Sequence, residues 1–261
     1  MIHPTAIVSE SAIIGENVHI GPYSIIGPDV KLGNNCFLHS HVVIDGFTTI
    51  GDNNKFFPFS AIGLAPQDLK YHGEPSTLEI GNNNTIREYV TIHPGTEAGS
   101  MKTIVGNNCL FMASSHVAHD CIIGNNVIMS NNATLAGHVT VGNYVIIGGL
   151  AAVHQFSRIG DFAFIGGLTG IARDLVPFAS SFADRDRISG INVVGLKRHD
   201  FSIADIKNIQ NAFDILFFTA SDKTFTEKVA EVTEKYKDNI KMKPFITFIN
   251  SESIRSYVQG N

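Results

Sequence analysis

Large apolar side chains recur every six residues through most of this chain, and that period admits very few folds. The series starts at Ile2 and runs through Val8, Ile14, Ile20, Ile26, Leu32, Leu38, Ile44, Ile50 and Phe56 to Ile62. It returns in the same frame at Ile80, Ile86 and Ile92, then restarts one residue out of phase at Val105 and continues to Ile171. About one residue in three is of this type in an ordinary globular chain, so chance does not account for the series. Gly often follows the apolar residue (Gly15, Gly33, Gly106, Gly124, Gly142), and the fourth position after it is usually small (Ala12, Cys36, Val42, Cys109, Cys121). Gly-Asn-Asn clusters at 33–35, 106–108 and 124–126 supply residues that tolerate positive φ at corners. A hexapeptide period with these properties predicts a parallel β-helix, a prism whose three faces are built from short stacked strands. Three hexads make one coil, and the whole series makes close to nine coils, about 40 Å long at ~4.8 Å per stacked strand. The period itself does not set the handedness.

Two polar segments interrupt the series, at 64–79 and 96–103, and read as loops expelled from the prism, where function tends to concentrate. After about residue 195 the pattern becomes helical. Ser202-x-x-Asp205 has the form of a capping box ahead of Ile206, Ile209, Phe213 and Leu216, and amphipathic stretches follow at about 224–237 and 244–258. The expected architecture is therefore all-β with an α-helical C-terminal cap, a β-helix over 1–195 and helices over 196–261. The cap covers backbone that an open β-helix end would leave unpaired.

Composition excludes several classes. No apolar run is long enough for a membrane span, and the N-terminus lacks the layout of a signal peptide, so a cytoplasmic protein is expected. The net charge of −5 argues against nucleic acid as a partner. Cys36, Cys109 and Cys121 all occupy the inward slot of their hexads and read as small core hydrophobes, with no disulfide or zinc spacing.

One stretch, Ser114-Ser115-His116-Val117-Ala118-His119-Asp120-Cys121, breaks the aliphatic monotony. The hexad frame sets His119 at an outward corner, with Gly137 and Gln155 on the next two coils and His138 stacked on Asp120. His116, His119, His138 and His154 thus gather along one edge. A metal site is one reading, but trimeric β-helix hydratases separate their zinc histidines by four residues, and no histidine pair here has that spacing. His116-x-x-His119 lies on a strand-like bend, where the two rings do not converge, so neither metal nor cofactor is expected. A serine triad lacks its strand-to-helix elbow. What remains is His119 as general base, Asp120 or its backbone setting the tautomer, and the Gly137 N–H as an oxyanion donor.

At these residues the chain resembles the UDP-N-acetylglucosamine acyltransferase family. The likeness runs through GPYSIIGP at 21–28, PQDLKY at 66–71, HVAHDC at 116–121, NNATLAGHV at 131–139, AVHQF at 152–156 and GLKR at 195–198. It implies a left-handed β-helix, a homotrimer with sites between subunits, and no metal. The implied reaction moves a 3-hydroxyacyl chain from acyl carrier protein to the sugar 3-hydroxyl of UDP-N-acetylglucosamine, the first step of lipid A synthesis. The resemblance makes His119 the base, Asp120 its partner and Gly137 the oxyanion donor. It assigns substrate binding to Asp68, Lys70, His116, His138, His154, Gln155, Asn192 and Arg198, and it puts Gly167 on the acyl groove as a chain-length determinant, with Arg185 as an alternative. Pro94, Val194 and His199 depart from residues common in the family, near the expected nucleotide contacts. The acidic carrier calls for a basic patch, for which Lys102, Arg158, Arg173, Lys197 and Arg198 are candidates. A coenzyme A-dependent hexapeptide acetyltransferase, a 3-amino sugar acceptor and a non-catalytic scaffold are the alternatives.

Overall fold

The molecule, a computed structural model, is described for residues 1–182 and 187–260; Arg185 lies outside these. Most hexads contribute a two-residue strand whose first side chain faces out and whose second faces in. Ile25 is 41% exposed and its neighbour Ile26 is 1% exposed. The strands stack into three parallel sheets, the faces of a prism. Face I runs from Ile7–Val8 to Gly170–Ile171, face II from Ile13–Ile14 to Arg158–Ile159, and face III from His19–Ile20 through Phe164–Ile165 to Ala179–Ser181. The chain visits I, II and III in turn, so residues one coil apart pair directly: His116 with Thr134, Val117 with Leu135. The coil is left-handed, against the usual right-handed crossover between parallel strands.

The interior is a continuous column of the predicted hexad residues, including Ile20, Leu38, Phe56, Ile86, Phe111, Met129 and Ile147 at 0% exposure. Burying each such side chain stabilises the fold by ~1.5–3 kcal/mol. All three cysteines are buried and unpaired, as their slot predicts, and burial pushes the Cys121 thiol up to about 12. Sharp corners require one residue per turn in the left-handed region. On the edge between faces II and III that residue is Asn17, Asn35, Asn53, Asn83, Asn108 or Asn126, a good choice because Asn tolerates this φ, and then Tyr144 and Phe162 on the later coils. The adjacent corner position carries a side-chain ladder. Asn125 Oδ1 accepts from Asn107 N at 2.9 Å, Asn143 Oδ1 from Asn125 N at 2.9 Å, and Asp161 Oδ1 from Asn143 N at 2.8 Å.

Both interruptions are shorter than the sequence pattern indicates. Thr77–Ile80 and Lys102–Val105 are face II strands paired with each other, the first also with Phe47–Ile50, and they bury Leu78 and Thr103. A four-residue strand has two inward positions, one outside the six-residue frame, which is why the period misses it. Beyond the prism come α1 (Val193–Arg198), α2 (Ile203–Phe213), α3 (Phe225–Tyr236) and α4 (Lys243–Asn250). α2 begins with the expected capping box, Ser202 Oγ accepting from Asp205 N and the Asp205 carboxylate from Ser202 N, and it runs on as a π-helix over Asp214–Phe218. α4 ends well short of residue 258. Ser251 turns extended, and the chain then returns to the prism, where Val258 N donates to Asp174 O.

Candidate active site

The edge between faces I and II carries the histidines. His119 and Asp120 occupy its corner after the strand His116–Val117, and Gly137–His138 and Gln155–Phe156 repeat the corner on the next two coils. Asp120 and His138 both take the left-handed conformation, φ 59° and 63°. This turns the Asp120 side chain inward, to 1% exposure, beneath the His119 ring. His119 Nδ1 lies 2.9 Å from Asp120 Oδ2.

Asp120 is surrounded by donors. Thr96 Oγ1 reaches Oδ2 at 2.7 Å, Thr96 N sits 3.1 and 3.2 Å from the two oxygens, and Ser100 N and Oγ reach Oδ1 at 2.7 and 3.1 Å. Burial works against ionising this carboxyl, but hydrogen bonds from His119, Thr96 and Ser100 outweigh it and hold the group well below the usual carboxylate range. An ionised Asp120 can only accept, so the His119 proton belongs on Nδ1 and the Nε2 lone pair is free. The side chain, not the backbone, sets the tautomer. Nε2 faces Asp68 Oδ2 at 3.7 Å, from the first expelled loop. The His138 ring stands at 90° to that of His119, 5.0 Å away, and stacks on Phe156.

Gly137 is buried against the His119 imidazole, and its N–H has no acceptor among the described residues. His116 is held by Thr91, Oγ1 to Nδ1 at 2.6 Å, and packs edge-on against His93, 5.1 Å away. His93 is 5% exposed with no partner on Nδ1; burial, then the nearby His116 and His119, pushes its pKa down to about 4. Burial likewise lowers His116 and His138. Lys70 is exposed beside Asp68, whose Oδ1 accepts from Lys70 N at 3.0 Å. Two coils from His119, the exposed His154 and Gln155 meet Arg255, whose Nη2 lies 3.0 Å from both His154 Nδ1 and Gln155 O.

The remaining expected residues lie elsewhere on the chain. Gly167 is on the edge between faces III and I, the whole width of face I from His119. Its φ is not left-handed; Leu168 takes that role, at 62°, so Gly167 is not there to ease the turn. Asn192 caps α1, with Oδ1 accepting from Gly195 N at 2.9 Å. With Arg198, Val194 and His199 it lines a cavity of about 520 Å³ against face III, together with Ile128, Ile146 and Phe164 of that face and the corner residues Tyr144 and Phe162. Of the basic candidates, Arg158 is taken up inside the molecule. Its Nε bonds the fully buried Asp174 at 2.7 Å and its guanidinium covers Phe248, which leaves the side chain 20% exposed and its charge paired within the molecule. Lys102 pairs with Glu79 at 2.6 Å.

The ligand-capable atoms of His119, Asp120 and His138 lie within 4.8 Å of one another, close enough to suggest a metal. Asp120 already accepts hydrogen bonds on both oxygens, however, so the donor set fits a histidine–carboxylate pair better. Sequence reasoning missed Thr96, Ser100, His93 and Arg255. The first two sit in an expelled loop and the last in the tail, outside the repeat whose frame located the others.

Comparison with known proteins agrees with this architecture. The family described as UDP N-acetylglucosamine O-acyltransferase, domain 2, matches residues 174–258, and the bacterial transferase hexapeptide family matches 1–46 and 102–137. The chain is 53% identical over 256 residues to the acyl-acyl-carrier-protein–UDP-N-acetylglucosamine O-acyltransferase of Rickettsia prowazekii, covering 98% of this chain and 96% of that one. The enzyme of the same name from Rickettsia felis is 54% identical over the same shares. Among solved structures, UDP-N-acetylglucosamine O-acyltransferase from Moraxella catarrhalis superposes with a TM-score of 0.94 at 39% identity, covering 99% of each chain. The acyltransferase from Francisella novicida gives 0.95 at 36%, covering all of this chain and 94% of its own. Among the described residues no helix is long and apolar enough to cross a membrane.

Proposed function

Because the chain belongs to the UDP-N-acetylglucosamine O-acyltransferase family and is an acyltransferase of that family, we propose that it moves a 3-hydroxyacyl chain from acyl carrier protein to the 3-hydroxyl of UDP-N-acetylglucosamine, with His119 as general base. The observation that carries this reading is the His119–Asp120 pair. A buried, ionised carboxylate holds Nδ1–H, so the Nε2 lone pair is left free, on the side of the ring that faces Asp68 Oδ2 3.7 Å away. The sugar hydroxyl gives its proton to Nε2 as its oxygen attacks the thioester carbonyl. The oxyanion that forms accepts from the Gly137 N–H, and its collapse breaks the carbon–sulfur bond. The proton on Nε2 then leaves with the carrier thiol, so His119 ends as it began and no acyl-enzyme is formed. Asp120 stabilises the imidazolium between the two steps.

The expected contacts fall on separate surfaces of one chain: Asp68, Lys70, His116, His138, His154 and Gln155 on the edge between faces I and II, Asn192 and Arg198 against face III, and Gly167 on the third edge. Neighbouring copies of a homotrimer set side by side would bring such surfaces together across a cleft, which a convex edge cannot form alone. The reading is tested by supplying UDP-N-acetylglucosamine with carrier protein loaded with hydroxyacyl chains of several lengths. An ester at the sugar 3-position is expected. Turnover with acetyl-coenzyme A in place of the carrier would point to a hexapeptide acetyltransferase instead.

A further inference from the structure

Asp120 has two sets of partners, and the second is not on the prism. Four donor groups from Thr96 and Ser100, two backbone amides and two hydroxyls, converge on its carboxylate from the second expelled loop. A β-carbon on Gly99 would collide with the Asp120 carboxylate, so the loop closes over that group with no room to spare. The same loop holds the first one: Glu97 N donates to Glu74 Oε1 at 2.9 Å, and Glu74 Oε2 accepts from His72 N at 2.8 Å. The first loop carries Asp68, which returns to His119 Nε2. Contacts thus link His119 to Asp120 and Asp120 to Thr96 and Ser100, while Glu97, next to Thr96 in the chain, ties that loop to Glu74 on the loop that carries Asp68.

We propose that Thr96 and Ser100 are positioning residues for the acyl transfer, fixing the Asp120 carboxylate so that Oδ2 holds His119 while the same loop sets the distance of Asp68. This rests on the reading of His119 as the base. Oδ2 is shared between Thr96 Oγ1 and His119 Nδ1, so the hydroxyl draws charge from the oxygen that supports the imidazolium. Removing it leaves more charge facing His119 and makes protonation of the ring easier. The other titratable groups near His119 are Asp68 on the first loop, His138 on the next coil, and His116 and His93 on face I; this substitution removes none of them.

The test is the dependence of kcat/KM on pH for wild type, Thr96→Val, Thr96→Ser and Ser100→Ala, with thermal melts of each. Thr96→Val should lower kcat at neutral pH by about ten- to a hundredfold, the range expected for losing a hydrogen bond to a charged group. It should also move the acidic limb to higher pH, while KM for the nucleotide sugar changes much less. Thr96→Ser keeps the hydroxyl and should restore both, and Ser100→Ala, which retains its amide donor, should show a smaller fall. A Thr96→Val enzyme that melts normally with wild-type kcat and an unmoved limb would overturn the proposal. So would a lower kcat with the limb in place, which is what a merely structural role gives. Should Thr96→Val not fold, Gly99→Ala, which pushes the loop from Asp120 while leaving every donor in the chain, must lower kcat with an intact melt or the proposal fails. Full turnover by His119→Ala would instead defeat the reading of the base, whatever Thr96 does.

Discussion

Gly137 lies so close to His119 that a β-carbon added to it would sit 2.5 Å from the ring Cε1 and 2.6 Å from Nε2. The glycine is there to let the imidazole rest flat against the backbone of the next coil, at the height where its own N–H is free. Gly137→Ala should therefore act through displacement of His119. Turnover is expected to fall by about two to three orders of magnitude, the scale for misplacing a catalytic group, with the melting temperature little changed. A variant with normal turnover would show that the ring has other room.

Removing the base itself should cost more. His119→Ala is expected to lower kcat by roughly two to four orders of magnitude and to leave the coil intact, because a corner side chain contributes little core packing. In the wild-type enzyme the rate should decline on the acid side as the ring takes up a proton and loses its lone pair. Asp120, held far below the usual range, stays ionised through that decline. If the variant keeps a near-normal rate, the base is another residue and His138 is the next to replace.

His93 makes a prediction about stability. Its folded pKa, about 4, is below the ~6.5 of an exposed histidine, so between these values the unfolded chain binds a proton that the folded chain does not. Stability should consequently fall as pH drops from about 6.5 toward 4, by on the order of 1–3 kcal/mol from this residue. His93→Gln should flatten that slope in denaturant titrations between pH 8 and pH 5. His116, lowered in the same direction, leaves a residual slope. An identical slope in the variant would mean that His93 titrates normally.

Gly167 is exposed, and a β-carbon there would come 3.2 Å from Gly149 O, so a larger residue needs a small shift of the neighbouring corner and then projects outward from the edge. If the acyl chain runs past this edge, Gly167→Met should shorten the preferred donor. Each methylene that no longer fits forfeits about 0.8 kcal/mol, so losing two to four of them gives roughly ten- to a few-hundred-fold discrimination in a competition between donors. Unchanged preference in an active variant would place the ruler at another position.

The trimer is checked by mass. Light scattering is expected to give three times the 28.3 kDa of one chain at concentrations where the enzyme is active. Full activity in a species of monomer mass would mean that the separated surfaces are never joined.

The prism was legible because its period is a direct image of its geometry: Ile20, Leu38 and Phe56 are inward for the same reason, one coil apart. The frame also placed His119, Gly137 and His138 together, since stacking converts a sequence distance into a neighbour. It could not reveal Thr96, Ser100 or Glu74, which reach the site by loops whose path no periodicity constrains. The same arithmetic sets Gly167 on another edge, two coils and two hexads from His119, but one chain's numbering does not say which copy's edge completes a cleft. Arg158 looked like surface charge because its partner Asp174 lies where the repeat gives way to the cap.

Both expelled loops leave the prism at the same corner on consecutive coils, after Ala61–Ile62 and after Thr91–Ile92, and each returns to face II in register. A coil touches only the coils above and below it, so lengthening one corner leaves the other two faces unaware of the change. Substrate recognition could thus be remodelled in lineages of this fold by growth at a single vertex, with the hydrocarbon interior inherited unchanged. That separates the tempo at which specificity can drift from the tempo at which the scaffold can.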